Sequence, residues 1–164
     1  MTVVIDVGCA RHHTSFSIER LVEMFHPDRL YGFDPNDTAR TEVVDGCEVE
    51  VFQAAAWTSN GTVPFRYEEI TSRVDEGAAD HVPAVDLATF IDGLDHDDII
   101  LKVDAEGAEY DLLEHLIRTK ADRRLKVAWI EWHLAPSQVA ARALRRRRNQ
   151  IGYAIACGLR EWEW

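Results

Sequence analysis

Three carboxylates, Asp104, Glu106 and Glu109, fall within six residues of one another around Gly107. They follow a very apolar run, Ile99 to Val103, and open an amphipathic stretch from Glu106 to Thr119 with Leu112, Leu113, Leu116 and Ile117 on one side. Carboxylates gathered where a strand gives way to a helix can accept a proton from a substrate. They can equally serve the helix, Asp104 as its cap and the two glutamates beside its positive end. Gly107 favours chemistry, because a glycine inside a helix costs about 1 kcal/mol unless something must approach closely. Glu131 and His133 close a further apolar run, Leu125 to Trp132. An imidazole with a pKa near ~6.5 suits proton transfer at neutral pH. Asp104, Glu131 and His133 are therefore the candidate catalytic residues. The same groups, with Glu106, could ligate a divalent ion, but their spacing does not call for one and no metal is assigned.

Two more strand ends carry polar or flexible residues. Asp6-Val7-Gly8 ends a β-branched run from Thr2, and Gly8 permits the tight turn a nucleotide-like ligand needs. Asp34 ends the run Leu30 to Phe33, at a place where an acid can receive ribose hydroxyls. Its other reading is a turn-forming Asp before Pro35.

The elements that must position these residues alternate. After the first strand, Phe16, Ile18, Leu21, Val22 and Phe25 recur at helical spacing and Pro27 closes that helix. Glu48 to Trp57 reads as one strand running into an alanine series; Val63 to Tyr67 returns as a hairpin after Thr58-Ser59-Asn60-Gly61. Residues 68–83 read as a loop, Asp86 to Leu94 as a short helix, Ser137 to Ile151 as a long Arg-rich helix, and 152–164 as two short strands around Gly158. This alternation predicts one α/β domain over residues 1–164, a mostly parallel sheet flanked by helices with an antiparallel C-terminal edge. In such a sheet the strand ends at Gly8, Asp34, Ala54-Ala55-Ala56, Asp104 and Glu131 share one rim, where ligands bind.

Composition narrows the partners. A net charge of -11 argues against nucleic acid and anionic membranes, since like charges repel. Cys9, Cys47 and Cys157 are far apart and odd in number, so neither a disulfide framework nor a zinc site is expected. No apolar run reaches the ~18 residues of a membrane span, and no secretion signal is visible. The expectation is a cytoplasmic protein. The run Arg145 to Arg148 reads as a solvated helix face, or as a patch for an acidic group or subunit. Trp162 and Trp164 leave homodimerisation open.

Taken together, Val4-Ile5-Asp6-Val7-Gly8, Tyr31-Gly32-Phe33-Asp34-Pro35-Asn36, Ala55-Ala56 before Gly61-Thr62-Val63, Leu101 to Leu113 and Ile130-Glu131-Trp132-His133 resemble the FkbM family of methyltransferases in type and order. The stretch Lys102-Val103-Asp104-Ala105-Glu106-Gly107-Ala108-Glu109 is the most specific, and the resemblance runs from Val3 to about Gly152. It implies a Rossmann-like class I methyltransferase fold that uses S-adenosylmethionine, usually to O-methylate a hydroxyl of a sugar or small natural product. Carried over, Asp6, Gly8, Cys9 and Ala10 would hold the methionine end of the cofactor. Asp34 and Pro35 would meet its ribose, and Ala55, Ala56 and Trp57 would lie near adenine. Asp104 and Glu106 would border methyl transfer, with Glu131 and His133 nearby. Read from the sequence itself, His12 and His13 are a pair that could reach the substrate from the first loop, or of which one caps or packs at the helix start. The chain departs from the family pattern at Ala10 and His12, where an Asn and a second Gly are usual. Asp34 stands for the commoner Glu, and Thr58 for an acid. The given sequence opens directly on the first strand, so an open site, or one completed by another subunit, is expected. Two rivals remain: a degenerate module of this fold that binds without turnover, and an NAD-dependent oxidoreductase, for which the full GxGxxG is missing.

Overall fold

The computed structural model describes residues 1–9, 16–68, 71–133 and 138–163. A seven-stranded sheet forms the body. Its strands, in chain order, are β1 (Thr2–Val7), β2 (Arg29–Phe33), β3 (Arg40–Val44), β4 (Cys47–Phe52), then β9 (Asp98–Val103), β10 (Leu125–Ile130) and β11 (Gly158–Glu161). Between β4 and β9 the chain builds a second, four-stranded sheet from β5 (Ala55–Trp57), β6 (Gly61–Arg66), β7 (Arg73–Val74) and β8 (His81–Asp86). Among the described residues the helices are α1 (Ser17–Phe25), α2 (Leu87–Asp92), α3 (Glu109–Thr119), a short 3-10 turn (Ala121–Arg124) and α4 (Gln138–Ala154).

The large sheet runs in the order β11-β10-β9-β1-β2-β4-β3 and is parallel except for β3. The chain winds outward from β1 through β2 and β4, then restarts at β9 on the other side of β1. The order therefore reverses between β1 and β9, which opens a crevice beyond the strand ends there.

Alternation along each strand sends side chains to two cores. Val3, Ile5, Val7, Leu101 and Val103 meet Leu87, Leu112, Leu116 and Ile151 of α2, α3 and α4 on one face. Val4, Leu30, Val49 and Ile100 meet Ile18, Leu21 and Val22 of α1, with Trp162, on the other. Among the described residues, none of the helices is long and apolar enough to cross a membrane.

Four expectations are corrected. The C-terminal edge is parallel: β11 pairs with β10 in parallel register, Ile130 opposite Glu161. A 17-residue helix, α4, spans ~25 Å. It carries the chain back along the strand length, so the next strand starts from the same end as its neighbour. The antiparallel edge lies at the opposite side, where β3 and β4 form a hairpin through Asp45-Gly46, both at positive φ (47° and 86°). An Asp-Gly pair between alternating strands is the strongest short hairpin signal. Second, 48–57 is two strands in two sheets, and β6 pairs with β8, not with the preceding strand. Third, 68–83 is not simply a loop: it supplies β7 and the start of β8. Fourth, Gly107 lies before α3, not inside it; its φ of 101° sets the turn, and no atom stands within 4 Å of where a Cβ would sit. The turn conformation, not a close neighbour, is what calls for glycine there.

The arginine run on α4 divides. Arg147 bonds Asp111 and Glu114 of α3 at 2.7 and 2.8 Å, and Arg148 pairs with Glu161 of β11 and lies over the Trp132 ring. Arg145 and Arg146 face solvent.

Candidate functional site

Gly8 is fixed by its neighbours. Its N–H donates to the Phe33 carbonyl at 2.9 Å, and at φ 82° a Cβ would stand 1.8 Å from the Asp104 carbonyl oxygen. The close approach predicted at this glycine is thus first an approach of two backbones. Asp104 N–H donates to the Val7 carbonyl and Glu131 N–H to the Val103 carbonyl, each at 2.9 Å, so sheet bonding continues into the loops that carry these acids.

Beyond these ends lies a shallow, open crevice. Val7 and Gly8 come from the end of β1, Phe33, Asp34 and Pro35 from the end of β2, and Ala55 and Ala56 from β5. Phe65, Arg73 and Val74 of the second sheet form the far wall, and Ala105 and Ala108 the near one. Its lining is mostly apolar with few polar groups, the usual composition of a small-molecule site. Asp34 is nearly buried, and its Oδ1 accepts from the Asn36 N–H at 2.8 Å. The turn reading of Asp34 is observed, and the residue that makes the turn also lines the crevice.

Beside Ala105 sits a group of acids around His133. Its Nε2 lies 3.4 Å from Glu106 Oε1, 3.7 Å from Asp104 Oδ1 and 3.9 Å from Glu131 Oε1. Its Nδ1 lies 3.5 Å from Glu109 Oε1, an ionic contact longer than a good hydrogen bond. Burial works against the imidazolium, but Glu109, Glu106 and Asp104 outweigh it and push the pKa up to about 9. His133 is therefore protonated at neutral pH and has no lone pair with which to act as the predicted base. Glu106 moves the other way from most paired acids: burial raises its pKa, the His133 charge opposes, and Asp104 and Glu109 raise it further. A carboxylate with a raised pKa is a better proton acceptor than an ordinary one.

Glu109 plays a structural part. Fully buried, it accepts from the Gly107 N–H at 2.8 Å through one oxygen and from the His133 N–H at 2.7 Å through the other. It joins the turn before α3 to the loop after β10. Tyr110 Oη donates to the His133 carbonyl at 3.0 Å and completes that clamp. Asp104, Glu106 and His133 also offer one ligand atom each within 4.8 Å of one another, a spacing that could hold a cation only if it displaced the imidazolium proton.

The predicted residues thus separate. Gly8, Asp34, Pro35, Ala55 and Ala56 line the crevice, and Asp104, Glu106, Glu131 and His133 gather at its border. Asp6 and Cys9 turn to the α1 face. Cys9 is buried against Gly32, and burial, with Asp6 adding to it, raises its thiol pKa well above the ordinary value. Trp57 packs on the apolar core of the second sheet, away from the crevice lining. Ala10, His12 and His13 lie outside the described residues. Sequence reasoning missed Arg73, whose charge reaches Glu106 and which lines the crevice; nothing local announces it. It also missed Lys102, whose signal is plain, a lysine inside the apolar run Ile99 to Val103. No family model, no curated protein and no solved structure matches the chain.

Proposed function

We propose that this chain is an S-adenosylmethionine-dependent methyltransferase of the class I, Rossmann-like type, acting on a hydroxyl of a sugar or small natural product. The observation that carries the reading is the crevice itself. It opens where the strand order reverses, and it brings Gly8, Asp34, Pro35, Ala55 and Ala56 onto one wall. The donor set fits the cofactor. Small side chains at Ala55, Ala56 and Ala105 leave room for a flat base, and a nearly buried carboxylate at Asp34 can accept from ribose hydroxyls. When bound, S-adenosylmethionine supplies an electrophilic methyl group on a sulfonium.

The chain's own part is to orient the acceptor and take its proton. Glu106 is the group suited to that proton, because its pKa is raised and it lies at the crevice border. His133, already charged, donates rather than accepts. Its Nε2–H faces Glu106 and Asp104 and restrains the attacking side of the site without competing for the proton. Val7, Phe33, Phe65 and Val74 give the crevice an apolar lining against which a bound acceptor would lose part of its hydration.

Calorimetric titration tests this. S-adenosylmethionine and S-adenosylhomocysteine should bind in the micromolar range, NAD should not, and Asp34→Ala should abolish binding. Binding without turnover on any hydroxyl acceptor would favour a degenerate module of the same fold. No nucleotide binding at all would end the enzyme reading. If turnover is found, Glu106→Gln should lower it by about 10²–10⁴-fold.

A further inference from the structure

Lys102 is fully buried in β9, opposite Asp6 in the β1·β9 register. Its Nζ lies 3.0 Å from Asp6 Oδ1, donates to the Gly8 carbonyl at 3.0 Å and stands 3.6 Å from Asp104 Oδ2. Ser17, the first residue of α1, donates to the other oxygen of Asp6 at 2.6 Å. Burial lowers the ammonium pKa, but Asp6 and Asp104 outweigh that and hold it above its ordinary value. One charge is thus tied to the turn after β1, the acid after β9 and, through Asp6, the start of α1.

Stability alone does not require this arrangement. Every other residue from Ile99 to Val103 is apolar, and a well-packed apolar pair is often as stable as a buried ion pair, or more so. What an apolar pair could not do is hold a carbonyl and a second carboxylate at fixed positions. Those two groups belong to the two loops that flank the strand-order reversal: Gly8 lines the crevice, and the other oxygen of Asp104 faces His133. We propose that Lys102 is a positioning residue of the crevice. It fixes the Gly8 turn and the Asp104 carboxylate relative to each other without touching the ligand. The part of this that concerns cofactor affinity rests on the methyltransferase reading; the part that concerns the two loops does not.

The single variant Lys102→Met strands Asp6 as an unpaired buried charge and confounds positioning with unfolding. The double variant Asp6→Asn/Lys102→Met is neutral, close in size and free of that defect. Amide hydrogen exchange compares it with the native chain. The expected result is a melting temperature within a few degrees of native, with exchange at least tenfold faster at Gly8 and Asp104 and unchanged at Leu30 and Leu101. Unchanged protection at Gly8 and Asp104 would overturn the proposal. So would a double variant that melts far below the native chain, because the pair would then be a general brace. S-adenosylhomocysteine titration adds a second arm: at least a tenfold loss of affinity in the double variant supports positioning, and equal affinity overturns it. If the native chain itself does not bind S-adenosylhomocysteine, the methyltransferase reading fails, while exchange at Gly8 and Asp104 still decides the role of Lys102.

Discussion

Asp104 stands between two charged groups that are built in opposite ways. On one side, Lys102 and Asp6 are fully buried, opposite in charge, and supported by Ser17 and the Gly8 carbonyl. On the other, His133 faces Asp104, Glu106, Glu109 and Glu131, partly open to solvent. Dry burial tolerates charge only when it is balanced and hydrogen-bonded. The half-wet rim tolerates an excess of one sign, and that excess raises the pKa of His133 and of Glu106. The balanced group suits holding backbone in place, the unbalanced one suits moving protons, and Asp104 couples them.

Breaking the backbone contact beneath both groups should have the largest effect. Gly8→Ala forces a Cβ onto the Asp104 carbonyl at an unfavourable φ. The loss should exceed about 4 kcal/mol in denaturant unfolding, the range reserved for severe core defects. Lys102→Met should come next, at about 3–5 kcal/mol, the usual result of leaving a buried charge without its partner. Adding Asp6→Asn should recover most of that loss, whereas a further loss would mean the pair is not coupled.

The rim group should respond to pH. His133 has its pKa raised from 6.5 in the unfolded chain to about 9 in the folded one. Between those values the folded protein binds more protons than the unfolded one, so stability falls as pH rises. The contribution is fully present below pH 6.5 and lost above about 9. Its size is on the order of 3 kcal/mol, at about 1.4 kcal/mol for each pKa unit between those values. Unfolding curves at pH 6 and 10 measure it, and His133→Gln should flatten the slope. The smallest effect is expected from Glu106→Gln. Stability should change by no more than about 1 kcal/mol, as for other partly exposed ion pairs. The His133 pKa, followed by proton NMR, should move down from about 9. A value that stays put would remove Glu106 from the group.

Much of this was legible in sequence because it is local. The apolar runs of β1, β2, β9 and β10 and the polar residues at their ends mark the rim without any knowledge of pairing. What was not legible depends on partners distant in sequence. Ala55 and Trp57 read as the end of the preceding strand, yet two intervening residues let the chain switch sheets and pair with β8. The family resemblance puts Asp6 at the methionine end of the cofactor. Strand alternation sends it to the face opposite Val7, where Lys102 meets it. His133 read as a base from its ordinary pKa, which Glu109, Glu106 and Asp104 raise once the loop after β9 and the start of α3 fold against it. Asp45-Gly46, between two alternating strands, is by contrast a local hairpin signal.

The central claim is that the crevice beside the strand-order reversal receives S-adenosylmethionine. Amide NMR spectra recorded during titration with S-adenosylhomocysteine test it most directly. The account predicts saturable shifts at Gly8, Asp34, Ala55, Ala56 and Ala105, with Cys47 and Ala154 unmoved. No shifts at millimolar ligand, or shifts confined to the hollow between α3 and α4 around Glu114 and Ala154, would contradict it.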